Sequence, residues 1–330
     1  MQDNSSTSQT PRIGLSHGDF NGVSYEIILK AFSDARMLTL LTPILYGQSK
    51  ALSYYKKNFG IEGFNYSLTR DARQSWDQKF NIINIVESEL KIEPGENTEL
   101  SDEMATLSLK LACEDLKNGY IDAMVMSPAS RALTKTHVNY LASSFGVTGP
   151  MKMLVNGDMR IALLTDEQPL QEAVAAVDAN RIFRSLFMLS KSLNADFNIQ
   201  TPKIAVMGLN PHSGEKGMNH KKDVVFQSIQ FAQEKGIYAF GPFSSEQLFV
   251  SGLWKRYDAI LAMYYDQGVL PFELLSSDEG AYYWVGLPMV CTAPLQGPCF
   301  EMANANNAQP TALRKAFYLA LDILYNHAEK

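Results

Sequence analysis

The sequence predicts an α/β protein built on a mostly parallel sheet covered by helices. Three observations carry that expectation. Short apolar, β-branched runs alternate with longer amphipathic stretches along the chain, the pattern of repeated strand–helix units. Polar, chemically competent residues follow several of those runs, at the place where open α/β sheets bind ligands. Finally, 46% of the 330 residues are apolar and 19% charged, so a packed core is expected, large enough for two ordinary domains or one large one.

Taken in order, strands are expected near 12–16, 43–47, 81–86, 123–126, 160–164, 203–208, 259–263 and 288–291, each a short run rich in Ile, Val, Leu, Ala or Met. A helix is expected over 101–118. Ser101 serves as its N-cap, Asp102 and Glu103 suit its first turn, Met104, Leu107 and Leu111 share one face, and Gly119 stops it. A second helix runs over 222–235 and ends at Gly236, and a third covers about 311–325. Residues 1–11 are polar, rich in Ser, Thr and Gln, and read as a loose tail without the apolar stretch of a signal peptide.

Composition narrows the function classes. A net charge of −6 argues against a nucleic-acid partner, which needs a basic face, but leaves room for a local pocket that binds a small anion. No run approaches the ~18 apolar residues of a membrane span. The three cysteines, Cys113, Cys291 and Cys299, form no CxxC pair and read as reduced, buried thiols of a cytoplasmic protein.

Five segments could carry chemistry. Ser16–Glu26 joins the first strand to the first helix. Gly18 and Gly22 permit a tight turn, but there is neither a GxGxxG fingerprint nor a GK[ST] loop, and taken alone it reads as a capped turn. Met126-Ser127-Pro128-Ala129-Ser130-Arg131 sets hydroxyls and a cation at a strand end, which suits an anion as well as it suits an ordinary turn. His137-Val138-Asn139-Tyr140-Leu141 follows. Leu209-Asn210-Pro211-His212-Ser213-Gly214-Glu215 puts a histidine in a Pro/Gly loop, a place for an acid–base group or metal ligand. Met263-Tyr264-Tyr265-Asp266-Gln267-Gly268 does the same for a carboxylate.

Together these segments resemble the 4-hydroxythreonine-4-phosphate dehydrogenase family of pyridoxal phosphate (vitamin B6, pyridoxine) biosynthesis, over about 13–324. The most specific matches are the Asn-Pro-His-Ser-Gly-Glu loop, the Asp-Gln-Gly loop, and Gly18, Asp19, Gly22 and Glu26 of the first turn. The resemblance implies two α/β/α domains with a cleft between them, as in isocitrate and isopropylmalate dehydrogenases. One would hold 12–135 with 295–330, the other 136–294. It implies a cytoplasmic homodimeric oxidoreductase that uses NAD and a divalent metal, zinc or magnesium, on a small-molecule substrate, oxidising a secondary alcohol before loss of carbon dioxide. Carried over by position, Asp266, His212 and Glu246 are catalytic, and Ser130, Arg131, Glu273 and Tyr282 bind substrate. Gly208, Asn210 and Gly268 meet the cofactor, and His137, His212 and Tyr265 fall at the metal positions.

The chain departs from the family at several of those places. Tyr265 replaces the third histidine, and a phenol with a pKa near ~10 is a weak ligand at neutral pH. Glu273 stands where the family has a phosphate-binding lysine, Tyr282 where it has asparagine, and Cys291 where it has arginine; Leu295–Cys299 alters another loop. A hard-ion site of two histidines and carboxylates and a weakened or absent metal site both remain open. Three functions follow: the family's own dehydrogenase, an oxidoreductase for a different, non-phosphorylated substrate, or a binding or regulatory paralogue on the same scaffold.

Overall fold

In a computed structural model, residues 10–213, 223–277 and 279–330 are described, with Arg131 described in its backbone alone. The expected tail at 1–11 therefore lies outside the described residues up to position 9, as do Gly214 and Glu215 of the histidine loop. The fold is α/β. The chain divides into two compact units, one of residues up to Phe145 with Met289–Leu321, the other of Gly146–Pro288 with Asp322–Lys330.

The first unit contains β1 (Arg12–Ser16), α1 (Ser24–Phe32), α2 (Arg36–Leu40), β2 (Thr42–Gly47), α3 (Ser49–Asn58), β3 (Ser67–Leu68), β4 (Asn81–Asn84), α4 (Glu99–Lys117), β5 (Ala123–Met126) and α5 (Arg131–Ser144). The second contains β6 (Met151–Asn156), β7 (Met159–Leu163), α6 (Leu170–Ala175), α7 (Ala179–Ala195), β8 (Ile204–Met207), α8 (Val224–Glu234), β9 (Ala239–Phe243), β10 (Ala259–Ala262), α9 (Tyr265–Ser276) and β11 (Ala281–Val285). The chain then returns to the first unit for β12 (Val290–Pro294) and most of α10 (Thr311–Ala328).

In the first unit the strand order is β3-β4-β2-β1-β5-β12, with every pairing parallel. The strands are buried on both faces, as parallel sheets require: β2 and β5 have no exposed residue. In the second unit the order is β11-β6-β7-β10-β8-β9. Strands β7, β10, β8 and β9 are parallel, so their carboxyl ends share one edge, whereas β6 runs antiparallel to both β7 and β11. The antiparallel turn of β6 brings its first residues to that same edge.

The expected strands begin within two residues of their expected starts, and β12 departs most, running Val290–Pro294 where 288–291 was expected. Four strands were not anticipated. β3 is only two residues long, β6 carries Lys152 inside an apolar run, and β9 contains Gly241-Pro242, joined by a cis peptide, both usually strand breakers. β11 has the aromatic content of a strand but was read only for its pocket residues. Ser101 is not the N-cap of α4. Thr98 is, accepting from the Ser101 backbone N–H at 3.1 Å, and Ser101 completes a capping box while donating its hydroxyl to Asp19 Oδ2 at 2.9 Å. The expected stops hold: Gly119 and Gly236 take φ of +70° and +81° directly after α4 and α8. α8 starts at Val224, behind Asp223, whose carboxylate accepts from the Val225 N–H at 2.8 Å. Cys113 and Cys291 are buried and Cys299 half-buried, all three unbridged.

Candidate functional site

In the second unit, four parallel strands deliver side chains to one edge. β7 leads to Asp166 and Glu167, β10 to Tyr265 and Asp266, β8 to Asn210 and His212, and β9 to Glu246. Two buried contacts of Gln267 tie the middle loops together. Its Oε1 accepts the Met263 N–H and its Nε2 donates to the Gly208 carbonyl, both at 2.7 Å. The histidine loop is folded tightly on itself. A Cβ on Gly208 would overlap the Ser213 side chain, and Ser213 Oγ donates to the Asn210 carbonyl at 2.7 Å. Gly268 has a packing role as well, because a Cβ there would come within 2.7 Å of Leu163 Cδ2 and 3.0 Å of Ala262 Cβ. The two glycines expected at the cofactor thus first permit close packing of the loops.

His212 sits at φ +61° with its residue exposed. A non-glycine residue in the left-handed region costs on the order of 1–2 kcal/mol, a cost that concentrates at functional turns. Asp266 is exposed in the first turn of α9, whose aligned N–H groups favour its carboxylate. Glu246 is exposed on a short helical turn, Glu246–Val250, past β9.

A second cluster lies on the same unit, and sequence reading found only part of it. Lys152, in β6, is 8% exposed, and its Nζ lies 3.0 Å from Asp166 Oδ1 and 3.1 Å from Glu167 Oε1. It also stands 5.2 Å from the centre of the Tyr282 ring. The register explains the meeting: β11 pairs Trp284 with Lys152, so Tyr282, two residues back on the same face, reaches the lysine diagonally. Burial alone would push the Lys152 pKa down; Asp166 and then Glu167 outweigh it, and the net shift is upward. The Tyr282 phenol is pushed up by burial first, then by the neighbouring Tyr265, Glu167, Glu273 and Asp166. Tyr265, Glu273 and Tyr282, singled out in the sequence, are therefore brought together. Lys152, Asp166 and Glu167 were missed. A lysine interrupting an apolar strand was the available signal for the first.

In the first unit, the carboxyl ends of β1, β5 and β12 carry the other predicted segments. Pro128 O accepts from the Asp19 N–H at 2.8 Å and from Ser24 Oγ at 3.0 Å, and Pro298 O accepts from the Val23 N–H at 2.9 Å. Gly22 is required there, since a Cβ would lie 2.5 Å from Pro298 O. Ser130 acts as the N-cap of α5, accepting from the Leu133 N–H at 3.3 Å. The Arg131 side chain lies outside what is described. His137 lies within α5, buried, with Nε2 3.3 Å from Thr106 Oγ1 of α4. Burial lowers its pKa to about 4, so it is neutral at pH 7. His17 is buried beside it, with Nε2 3.1 Å from the Met104 carbonyl.

The metal positions that the resemblance implies carry an altered donor set. His137 faces the Thr106 hydroxyl, the Tyr265 position offers a phenol, and among the described residues no group of three or more His, Cys, Asp and Glu side chains is placed to hold an ion. The exposed Asn210–His212 turn at the end of β8 is a polar ledge at the edge where α/β sheets hold nucleotides.

Comparison with known proteins finds relatives along nearly the whole chain. The model of a family described as pyridoxal phosphate biosynthetic protein PdxA matches residues 39–320. A 4-hydroxythreonine-4-phosphate dehydrogenase from Bacteroides thetaiotaomicron is 33% identical over 96% of this chain and 89% of its own length. Another of that name, from Prosthecochloris aestuarii, is 31% identical over 94% of this chain and 96% of its own. Among solved structures, a putative 4-hydroxythreonine-4-phosphate dehydrogenase from Salmonella typhimurium agrees in fold, with a TM-score of 0.82, 22% identity, and coverage of 96% of this chain and all of the other.

Proposed function

Because this chain belongs to the pyridoxal phosphate biosynthetic protein PdxA family, we propose that it is a nicotinamide-dependent dehydrogenase of small amino-alcohol acids related to 4-hydroxythreonine. The observation that carries this reading is the pairing of the His212 and Asp266 loops through Gln267 at the carboxyl edge of the second unit. Gly208, Asn210 and Gly268 would hold NAD, which would supply acceptance of the hydride from the secondary alcohol carbon. Asp266, exposed at the start of α9, takes the proton from the alcohol oxygen. His212 stands ready to donate to that oxygen or to the substrate carboxylate, held by its turn. The ketone so formed lies β to the carboxylate, so the C–C bond breaks with loss of carbon dioxide, and the electron pair passes to the carbonyl side before protonation. Glu246 remains a candidate for substrate contact. No step is assigned to a metal.

A cytoplasmic homodimer accompanies this reading. The unbridged cysteines support a reducing compartment, and the exposed Leu270, Leu274 and Leu275 of α9 offer an apolar face for a second copy. The test is NADH formation with 4-hydroxythreonine and its 4-phosphate by wild type, His212→Ala and Asp266→Asn. Turnover that drops at least a hundredfold in both variants is expected. Wild-type turnover unchanged by either substitution would overturn the assignment.

A further inference from the structure

The cluster around Lys152 bears on which alcohol the site accepts, and the inference rests on the dehydrogenase reading above. One buried ammonium is engaged by two carboxylates, at 3.0 and 3.1 Å, and lies against the face of Tyr282. A third carboxylate, Glu273 of α9, and the phenol of Tyr265 act on the same tyrosine ring. Two carboxylates thus flank one cation, and a third acts on the phenol that lies over it, at the edge where the parallel strands β7 and β10 end and beside the first turn of α9. The cation is already neutralised, and its approach is covered by an aromatic ring. A phosphomonoester carries close to two negative charges at neutral pH, so it would meet repulsion here and no free ammonium.

We propose that Lys152 and Tyr282 are specificity-determining residues that exclude a phosphate, so that the natural substrate is an unphosphorylated amino-alcohol acid. Asp166 and Glu167 hold Lys152 away from the substrate, and Glu273 adds the negative field that a hydroxyl or ammonium tolerates and a phosphate does not. These groups act on the C4 oxygen, one carbon from the reacting alcohol, and not on the alcohol itself. They are expected to alter the choice between substrates without abolishing hydride transfer.

The test compares 4-hydroxythreonine with its 4-phosphate, by kcat/KM for NADH formation and by calorimetric affinity. It uses the full-length wild type, the double variant Asp166→Asn/Glu167→Gln, and the single variant Glu273→Gln. Glu273 is exposed on α9, so its variant is expected to fold even if the double variant does not. Wild type should favour the unphosphorylated compound by on the order of tenfold or more. Each variant should shift that ratio toward the phosphate, the double variant by about tenfold or more. A wild-type preference for the phosphorylated compound, or a ratio unmoved in both variants, overturns the inference while leaving the dehydrogenase reading intact. If neither compound yields NADH, the dehydrogenase reading falls and the calorimetric ratio still decides specificity. Failure of both compounds to bind wild type and variants overturns the inference as well.

Discussion

Replacing Gln267 with leucine should separate the two loops that build the candidate site. The side chain is buried and makes two hydrogen bonds of 2.7 Å, one from the Met263 N–H and one to the Gly208 carbonyl. Leucine has nearly the same volume, so little cavity forms. What is lost is the partner of two main-chain groups away from water. Leaving such a group unsatisfied costs about 1–3 kcal/mol, so the pair predicts a loss of roughly 2–6 kcal/mol. Because Gly208 and Met263 lead directly into His212 and Asp266, turnover should fall further than stability explains at temperatures where the variant is still folded. Urea unfolding gives the first quantity and NADH formation the second. A stability change below about 1 kcal/mol together with normal turnover would refute the claim that Gln267 couples the loops.

Two other expectations follow from the same geometry. His17 is buried and its pKa is lowered from 6.5 to about 4, chiefly by burial, with the Met104 carbonyl opposing and His137 reinforcing the drop. The unfolded chain therefore binds a proton between pH 6.5 and about 4 where the folded chain does not, and stability falls as pH drops through that window, by about 3 kcal/mol for this group. Urea midpoints at pH 7 and pH 4.5 measure it, and His17→Gln should remove about half of the dependence, since His137, lowered to about 4 as well, carries the rest; a wild-type midpoint unchanged between those pH values would contradict it. Gly268→Ala should cost about 1–3 kcal/mol, since its Cβ would crowd Leu163, Ala262 and Ile161. An unfolding midpoint equal to wild type would show that α9 can shift away from the sheet.

The fold was legible where local chemistry and burial agree. β1 and β5 are apolar runs between polar turns, and their residues pair in parallel as such runs should. β6 and β9 were hidden because a strand that buries a lysine, or turns at Gly241-Pro242, owes its form to neighbours that sequence periodicity does not reveal. The start of α4 was misread because Thr98 and Ser101 can both cap, and only the contact with Asp19 distinguishes them. At the site, the motif loops around His212 and Asp266 stood out as strand-end polar runs. The role of Gln267 was within sight in the same motif but could not be separated from its neighbours. Lys152, Asp166 and Glu167 come from strands and turns over a hundred residues from Tyr282, and only the register of β6 on β11 brings them to it. Tyr282 and Glu273, odd as isolated substitutions, belong to one electrostatic cluster, since the Glu273 charge acts on the Tyr282 phenol.

The most direct test of the account follows two products of one reaction. Purified protein is given NAD and 4-hydroxythreonine labelled with ¹³C at the carboxyl carbon, with and without the 4-phosphate. The account predicts NADH and labelled carbon dioxide in equal amounts from at least one of the two compounds, with both products lost together in Asp266→Asn. No NADH from either compound would contradict it.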